Sequence, residues 1–247
     1  MFKKIISSLI LFIAMISCIS YAANTSADQW QWYYSDDHQS AYFDPSSVIY
    51  NRKSNTATVW RKYEILGRET PLTLHIKIDF SNKKTQMIGY INSEGNEGAV
   101  APNYPSEGIG PGTADEALAN TVADQLNIPH IYTGGPDRWQ WFYSTDTESY
   151  YIATDTASYD SKTNLYSVWI KTTPTAPGFN RPIHYFFDFT NRSFTLEPST
   201  DMMYVKSGTW EEIVYNGAYN FFKKLYGSSI EKPKIDNFGF LSTRQTE

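Results

Sequence analysis

Residues 30–34 set Trp30, Trp32 and Tyr34 against Gln31 and Tyr33, an alternation that predicts a half-buried strand. Residues 56–63 and 165–172 also read as strands, each behind a polar turn (51–55 and 160–164). Segments 74–80 and 183–189 follow, each running into a Ser/Thr-Asn-basic turn at 81–83 or 190–192. Turns this short join antiparallel neighbours, because a parallel pair needs a crossover of about a dozen residues. The period then changes. Trp210, Ile213, Val214, Gly217, Ala218, Phe221, Phe222 and Leu225 follow i, i+3, i+4, i+7 spacing and predict an amphipathic helix. Thr209 and Glu212 read as its capping box, and Gly227 stands where a left-handed C-terminal cap belongs. An earlier helix opens in the same way at Thr113 and Glu116. It continues through Ala114, Ala117, Leu118, Thr121 and Val122 until Asn127 and Pro129 stop it.

These elements occur twice. Trp30, Trp32 and Trp60 recur as Trp139, Trp141 and Trp169, always 109 residues on. Without gaps, 28–60 and 137–169 are identical at 14 of 33 positions, among them Tyr42/Tyr151, Asn55/Asn164 and Val59/Val168. The offset still holds at His75/His184, Asp79/Asp188, Phe80/Phe189 and Asn82/Asn191. A period this long means two tandem domains, since solenoid repeats run at about 20–50 residues. The expected organisation is repeat 1 over 28–128, a Pro/Gly joint over 129–136, repeat 2 over 137–227 and a tail over 228–247. An apolar helical stripe beside a one-faced sheet packs as two layers. The expected fold class is therefore α+β, each domain an antiparallel sheet of five or six strands with one C-terminal helix.

The amino terminus reads as an address. Residues 5–16 are apolar apart from Ser7 and Ser8 and follow the basic start at Lys3 and Lys4. Twelve residues at ~1.5 Å each are too short for a bilayer core of roughly 30 Å. The run fits a signal peptide over 1–22, cleaved after Ala22. Met15-Ile16-Ser17-Cys18 offers the competing exit, with a lipid anchor on Cys18. Either route exports the protein, so it is expected in the periplasm, at the cell surface or outside the cell. Cys18 is the only cysteine, and cleavage after Ala22 leaves no disulfide, thiolate metal site or cysteine nucleophile.

Charge narrows the partners. Without Lys3 and Lys4 the chain carries 19 basic against 26 acidic residues, a net −7 that argues against nucleic acid. The aromatic content is 16%, and Tyr33, Tyr42, Tyr150 and Tyr151 alternate with their neighbours in strands, so some of these rings must face away from the helices, either as a patch for sugars or protein or buried in a second sheet face or a domain–domain contact.

Catalytic candidates fail on spacing. The glycines of 108–112 do not follow a phosphate-loop pattern, and Asp115 and Glu116 put carboxylates where a phosphate would sit. His75/Asp79 and His184/Asp188 share a strand face, but four steps of ~3.3 Å hold them too far apart for a hydrogen-bonded dyad. His38 and His130 lack ligand spacing, and 92–98 lacks the leading Asp and bidentate Glu of a calcium loop. No catalytic, cofactor or metal residue is assigned.

The segment from Tyr42 to Val48, then Thr58-Val59-Trp60, 75–80, and Gly112-Thr113 opening a helix, resembles the bacterial surface-adhesin protein E family over each repeat. The resemblance implies a small antiparallel sheet with a C-terminal helix, displayed at the cell surface and binding host matrix proteins. That family's helix is held by a disulfide. The cysteines are missing here, so packing by Trp210, Phe221 and Phe222 is expected to replace it. The resulting expectation is a non-enzymatic, adhesin-like binding protein for a matrix protein or glycan. Two alternatives stand: an envelope assembly protein whose repeats pair with each other, and a secreted hydrolase using His75 and His184.

Overall fold

A computed structural model describes residues 30–174, 182–197 and 199–227; residues 1–22, read above as a signal peptide and including Cys18, and the tail 228–247 lie outside them. The described chain forms two antiparallel sheets and two α-helices. The first sheet contains β1 (Gln31–Ser35), β2 (Gln39–Phe43), β3 (Ile49–Asn51), β4 (Thr56–Ile65), β5 (Leu72–Asp79), β6 (Lys84–Ile91), β7 (Glu97–Ala99) and β8 (Ser106–Gly108). Its order is β1-β2-β4-β5-β6-β7, with β3 beside β4 and β8 beside β6. Helix α1 (Ala114–Leu126) follows. The second sheet contains β9 (Trp139–Ser144), β10 (Glu148–Ala153), β11 (Ser158–Asp160), β12 (Leu165–Pro174), β13 (Ile183–Asp188), β14 (Ser193–Leu196) and β15 (Met203–Tyr204), before helix α2 (Trp210–Tyr226). Its order is β15-β14-β13-β12-β10-β9, with β11 beside β12.

The sheets thus have eight and seven strands rather than five or six. The surplus comes from β3, β7, β8, β11 and β15, each two or three residues long. Segments so short carry no readable period. They become strands because a long neighbour offers them an edge to pair with.

Turn chemistry explains many of the identities between the copies. Asn55 and Asn164 adopt left-handed φ of 51° and 57°, and each accepts a hydrogen bond from a tyrosine hydroxyl, Tyr50 at 2.9 Å and Tyr159 at 2.7 Å. Asp79 and Asp188 each accept two backbone N–H bonds across the next turn, from Ser81 and Asn82 and from Thr190 and Asn191. Asn and Asp suit such turns because a short side chain can replace a backbone acceptor.

The helix caps differ from the expected boxes. Thr113 does accept from Glu116 N–H, but Thr209 makes no side-chain cap bond. Glu116 and Glu212 each reach one residue further back, to the N–H of Gly112 at 2.7 Å and of Gly208 at 2.9 Å. Both glycines sit at φ 78°, a turn that presents the N–H to the carboxylate. Asn127 closes α1 in the left-handed region, whereas Gly227 closes α2 at φ 80°, ψ −177°, outside it.

The packing face of α2 is also rotated from the expected stripe. Val214, Tyr215, Ala218, Tyr219, Phe221 and Phe222 are buried, while Trp210 and Leu225 are 47% and 49% exposed. Tyr215 and Tyr219, counted as polar in a stripe reading, do the work expected of Trp210. Both stack edge-on against Phe189. Gly217 lets the helix approach β9 so closely that a Cβ there would collide with the ring of Phe142. Alanine normally stabilises a helix interior by about 1 kcal/mol over glycine. At Gly217 we expect the opposite sign, a loss of about 1–3 kcal/mol from overpacking. Urea unfolding of Gly217→Ala checks this, and the same substitution beside Phe142→Ala should recover the ordinary helix preference.

Each sheet shares one apolar cluster with its helix. The first is built on small residues, Ala41 and Ala57 under Leu118 and Val122. The second is aromatic, with Tyr166, Phe187, Phe189, Tyr215 and Phe222 in mutual ring contact. Within the segment 129–136, Ile131 and Tyr132 are buried in the first cluster, and Tyr132 donates its hydroxyl to Ile109 O at 2.9 Å. These two side chains anchor the stretch read as a joint, while Pro129, His130, Thr133, Gly135 and Pro136 stay exposed.

Candidate functional site

The strand registers place Trp32 opposite Tyr42, and Tyr42 opposite Lys62. In the second sheet Trp141 lies opposite Tyr151, and Tyr151 opposite Lys171. The result is the same row, Trp-Tyr-Lys, crossing the face of each sheet that looks away from its helix. The Lys62 ammonium sits 4.8 Å from the Tyr42 ring centre and 5.5 Å from that of Trp30. Lys171 sits 4.3 Å from Trp139 and 5.6 Å from Tyr151. Burial lowers the Lys171 pKa by disfavouring its charged form. Lys62 additionally pairs with Glu64 at 3.0 Å.

The exposed indoles are held still. Trp32 Nε1 donates to Ser35 Oγ at 2.7 Å, and Trp141 Nε1 to Ser144 Oγ at 2.8 Å. Those serines are in turn hydrogen-bonded to Ser40 and Ser149. With the polar edge of each ring satisfied, its flat apolar face remains 62% exposed at Trp32 and 57% at Trp141. Tyr33 and Tyr150 point the other way into the cores, whereas Tyr42 and Tyr151 stay half-exposed beside the lysines.

A second repeated feature flanks the row. Trp60 stacks on His75 and Trp169 on His184, each at 4.6 Å between ring centres and within 13° of parallel. Their environments differ. Trp60 is half-exposed, but Trp169 is buried beneath the first unit. Gly110 approaches it so that a Cβ would lie 3.3 Å from the indole, and Gly108 likewise at 3.1 Å. The Trp169 indole hydrogen-bonds the Tyr132 hydroxyl. Glu197 closes this contact: it pairs with His184 Nδ1 at 2.7 Å in its own unit and with Lys84 at 3.0 Å in the other. A groove of about 970 Å³ opens beside it, with Lys77, Lys83 and Lys84 on one wall and Trp169, His184 and Phe186 on the other.

The hydrogen bond from His184, assisted by Lys84 and opposed by burial, holds the Glu197 carboxyl below its ordinary 4.5. A carboxyl depressed in the folded state contributes stability above its unfolded pKa and loses it as pH falls through the folded value. We therefore expect the thermal midpoint to decline from about pH 4.5 downward, and Glu197→Gln to flatten that part of a pH 6 to about pH 3 series.

The other sequence candidates are placed as follows. Asp79 and Asp188 cap turns and do not meet the histidines four residues before them. His130 pairs with Asp124 at 2.7 Å. Segment 92–98 is the turn leading into β7, organised by Asn92 Oδ1, which accepts from Glu94 and Asn96 N–H. Asp115 pairs with Arg61. Among the described residues no three His, Cys, Asp or Glu side chains converge as a metal site, and no helix is long and apolar enough to cross a membrane. Glu197 was not legible as a partner, because its counterpart at the 109 offset is Ile88.

Comparing the two copies separates what the fold needs from what it does not. The cores have been rewritten: Ala41 became Tyr150, Phe43 Ile152, Ala57 Tyr166, Ile76 Tyr185 and Ile78 Phe187, all buried. Val59/Val168 and Phe80/Phe189 persist inside. On the outer face Trp30, Trp32, Ser35, Ser40, Tyr42, Trp60, Lys62 and His75 are all identical in the second copy. Volume is not kept position by position, as Ala41/Tyr150 and Ala57/Tyr166 show, so the second core is repacked around its rings. Constancy at Trp32, Ser35, Ser40, Tyr42 and Lys62, exposed or half-exposed in both copies, requires a different cause.

The architecture and the surface together define a class: a doubled antiparallel-sheet protein whose outer faces carry one repeated aromatic–lysine row. Set against known proteins, the chain matches no family model, no curated protein and no solved structure.

Proposed function

We propose that the protein is an exported, non-enzymatic binding protein of the adhesin-like kind, made of two copies of one α+β domain. Its ligand in this reading is carbohydrate, of the sort displayed on extracellular surfaces. The observation that carries the proposal is the repeated outer row, Trp32-Tyr42-Lys62 and Trp141-Tyr151-Lys171. A flat indole with its N–H already bonded offers an apolar plane for the C–H face of a pyranose. A lysine two strands further on supplies a donor for ring hydroxyls or acid groups. The signal segment, and the resemblance of 42–48, 58–60 and 75–80 to surface adhesins, support the location.

The test is binding of purified 23–247 to a glycan array and to immobilised matrix proteins. Saturable binding to glycans, lost on adding free oligosaccharide, is the expected result. Binding to deglycosylated matrix protein would move the ligand to polypeptide, and a silent panel would discard the reading.

A further inference from the structure

The two units meet through unlike surfaces. The first unit contributes the loop before its helix, with Gly108 and Gly110, and the second contributes its Trp169–His184 face. Each unit possesses both surfaces. Ser193 pairs with Tyr204 as Lys84 pairs with Gly108, and Val205 N–H bonds Arg192 O as Ile109 N–H bonds Lys83 O. Segment 202–206 is therefore the second unit's version of the docking loop. Likewise Trp60 and His75 are the first unit's version of the receiving face. Within one chain, one loop and one face are used and one of each is left over.

The leftover loop is apolar. Met202, Met203 and Tyr204 are 39%, 42% and 68% exposed, and Trp210 nearby is 47% exposed. At the matching positions the first unit has Ser106, Glu107 and Gly108, polar or small, and a buried Ala114. Large apolar groups gathered in solvent mark a contact surface. The leftover face is half-exposed and has kept the Trp–His stack that its twin uses for docking. The charges also match: Lys206 is exposed beside Tyr204, and the carboxylate that acts on His75 is the exposed Glu97.

We propose that the protein self-associates head to tail, the 202–206 end of one copy seating on the Trp60–His75 face of the next. Tyr204 and Lys206 stand where glycines allow the close approach inside the chain, so the contact between chains is wider and filled by the Tyr204 and Met203 side chains. An unlike-surface contact leaves a free loop and a free face after each addition, and so grows into a ring or a filament rather than stopping at a pair. This does not use the Trp32-Tyr42-Lys62 row and stands independently of the glycan reading.

The experiment is sedimentation velocity of 23–247 over rising concentration. The expected result is mass growing past two copies. Trp60→Ala and Tyr204→Asp should each weaken association at least about thirtyfold, as loss of a central aromatic anchor does. Mixed together, the two variants should form a 1:1 pair that grows no further, because the pair retains one good face and one good loop, already engaged. Circular dichroism confirms that each variant is folded, and His75→Ala replaces Trp60→Ala if the latter is not. A wild type that stays monomeric overturns the proposal. So does a pair that forms from either variant alone, which would reveal a twofold contact. Association that survives both substitutions and vanishes when 228–247 are removed also overturns it, since the tail would then be the contact.

Discussion

Replacing Arg138 by alanine is expected to cost about 3–5 kcal/mol, the range for removing one partner of a buried ion pair. Arg138 grips Glu116 with two parallel hydrogen bonds, both 2.7 Å, and its Nε reaches Asp155 at 3.0 Å. The three side chains are 9%, 8% and 8% exposed. Burial works against the Arg138 charge, yet the bonds to Glu116 and Asp155 raise its pKa overall. The two carboxylates hold other parts as well, Glu116 the N–H of Gly112 and Asp155 the N–H of Gly134. One guanidinium thus ties the start of α1 to the segment before β9 and to the turn after β10. Without it, two carboxylates remain in a dry site with no cation between them.

Stranded charge, rather than lost contact area, causes the expected loss, and two further measurements separate them. Arg138→Ala combined with Glu116→Gln should be less destabilised than the sum of the single changes, because the stranded charge has gone. The penalty should also shrink in acid, where the carboxylates protonate. A penalty independent of pH would assign the loss to packing. The second unit closes the equivalent Glu212 with Arg192 from its own sheet, so Arg138 is the cation that binds one unit to the other at this point. Urea unfolding of the variant should accordingly separate into two transitions where the wild type shows one.

How far the sequence anticipated this structure depended on the length scale of the signal. The long strands and both helices were legible, since 56–63 and 210–225 each sustain one period long enough to be read. Short edge strands were not, because three residues have no period and form only where a neighbour's free edge lies. The stripe on α2 was misplaced by one step, since tyrosine reads as polar although its ring is most of its surface; Tyr215 and Tyr219 fill the core and Trp210, at the first turn, lies off it. The duplication located the candidate surface only in part. Identity at Trp32/Trp141 and Tyr42/Tyr151 was plain in the sequence, but the sheet face each residue occupies was set by the bulges between Trp32 and Tyr34 and between Tyr150 and Tyr151. Contacts unique to one copy, Glu197 with Lys84 and Arg138 with Glu116, have no counterpart for a repeat comparison to reveal.

Loss of both exposed indoles is expected to remove binding to a glycan-coated surface. Two equivalent sites on one chain make the second contact intramolecular, a gain of about 10²–10⁴ over one site when both can engage. Trp32→Ala or Trp141→Ala alone should therefore weaken retention on the surface by a factor in that range, and the double variant should show none. A soluble oligosaccharide too short to bridge gives the complementary measurement. Calorimetry should find two sites on the wild type and one on either single variant, with the affinity of the surviving site unchanged, because each row contains its own tryptophan, tyrosine and lysine. Stability should move by no more than about 0.5 kcal/mol, since both rings are mostly in solvent. If one substitution alone abolished binding of the short sugar, the rows would be halves of a single site, and the repeat would matter for geometry rather than for avidity.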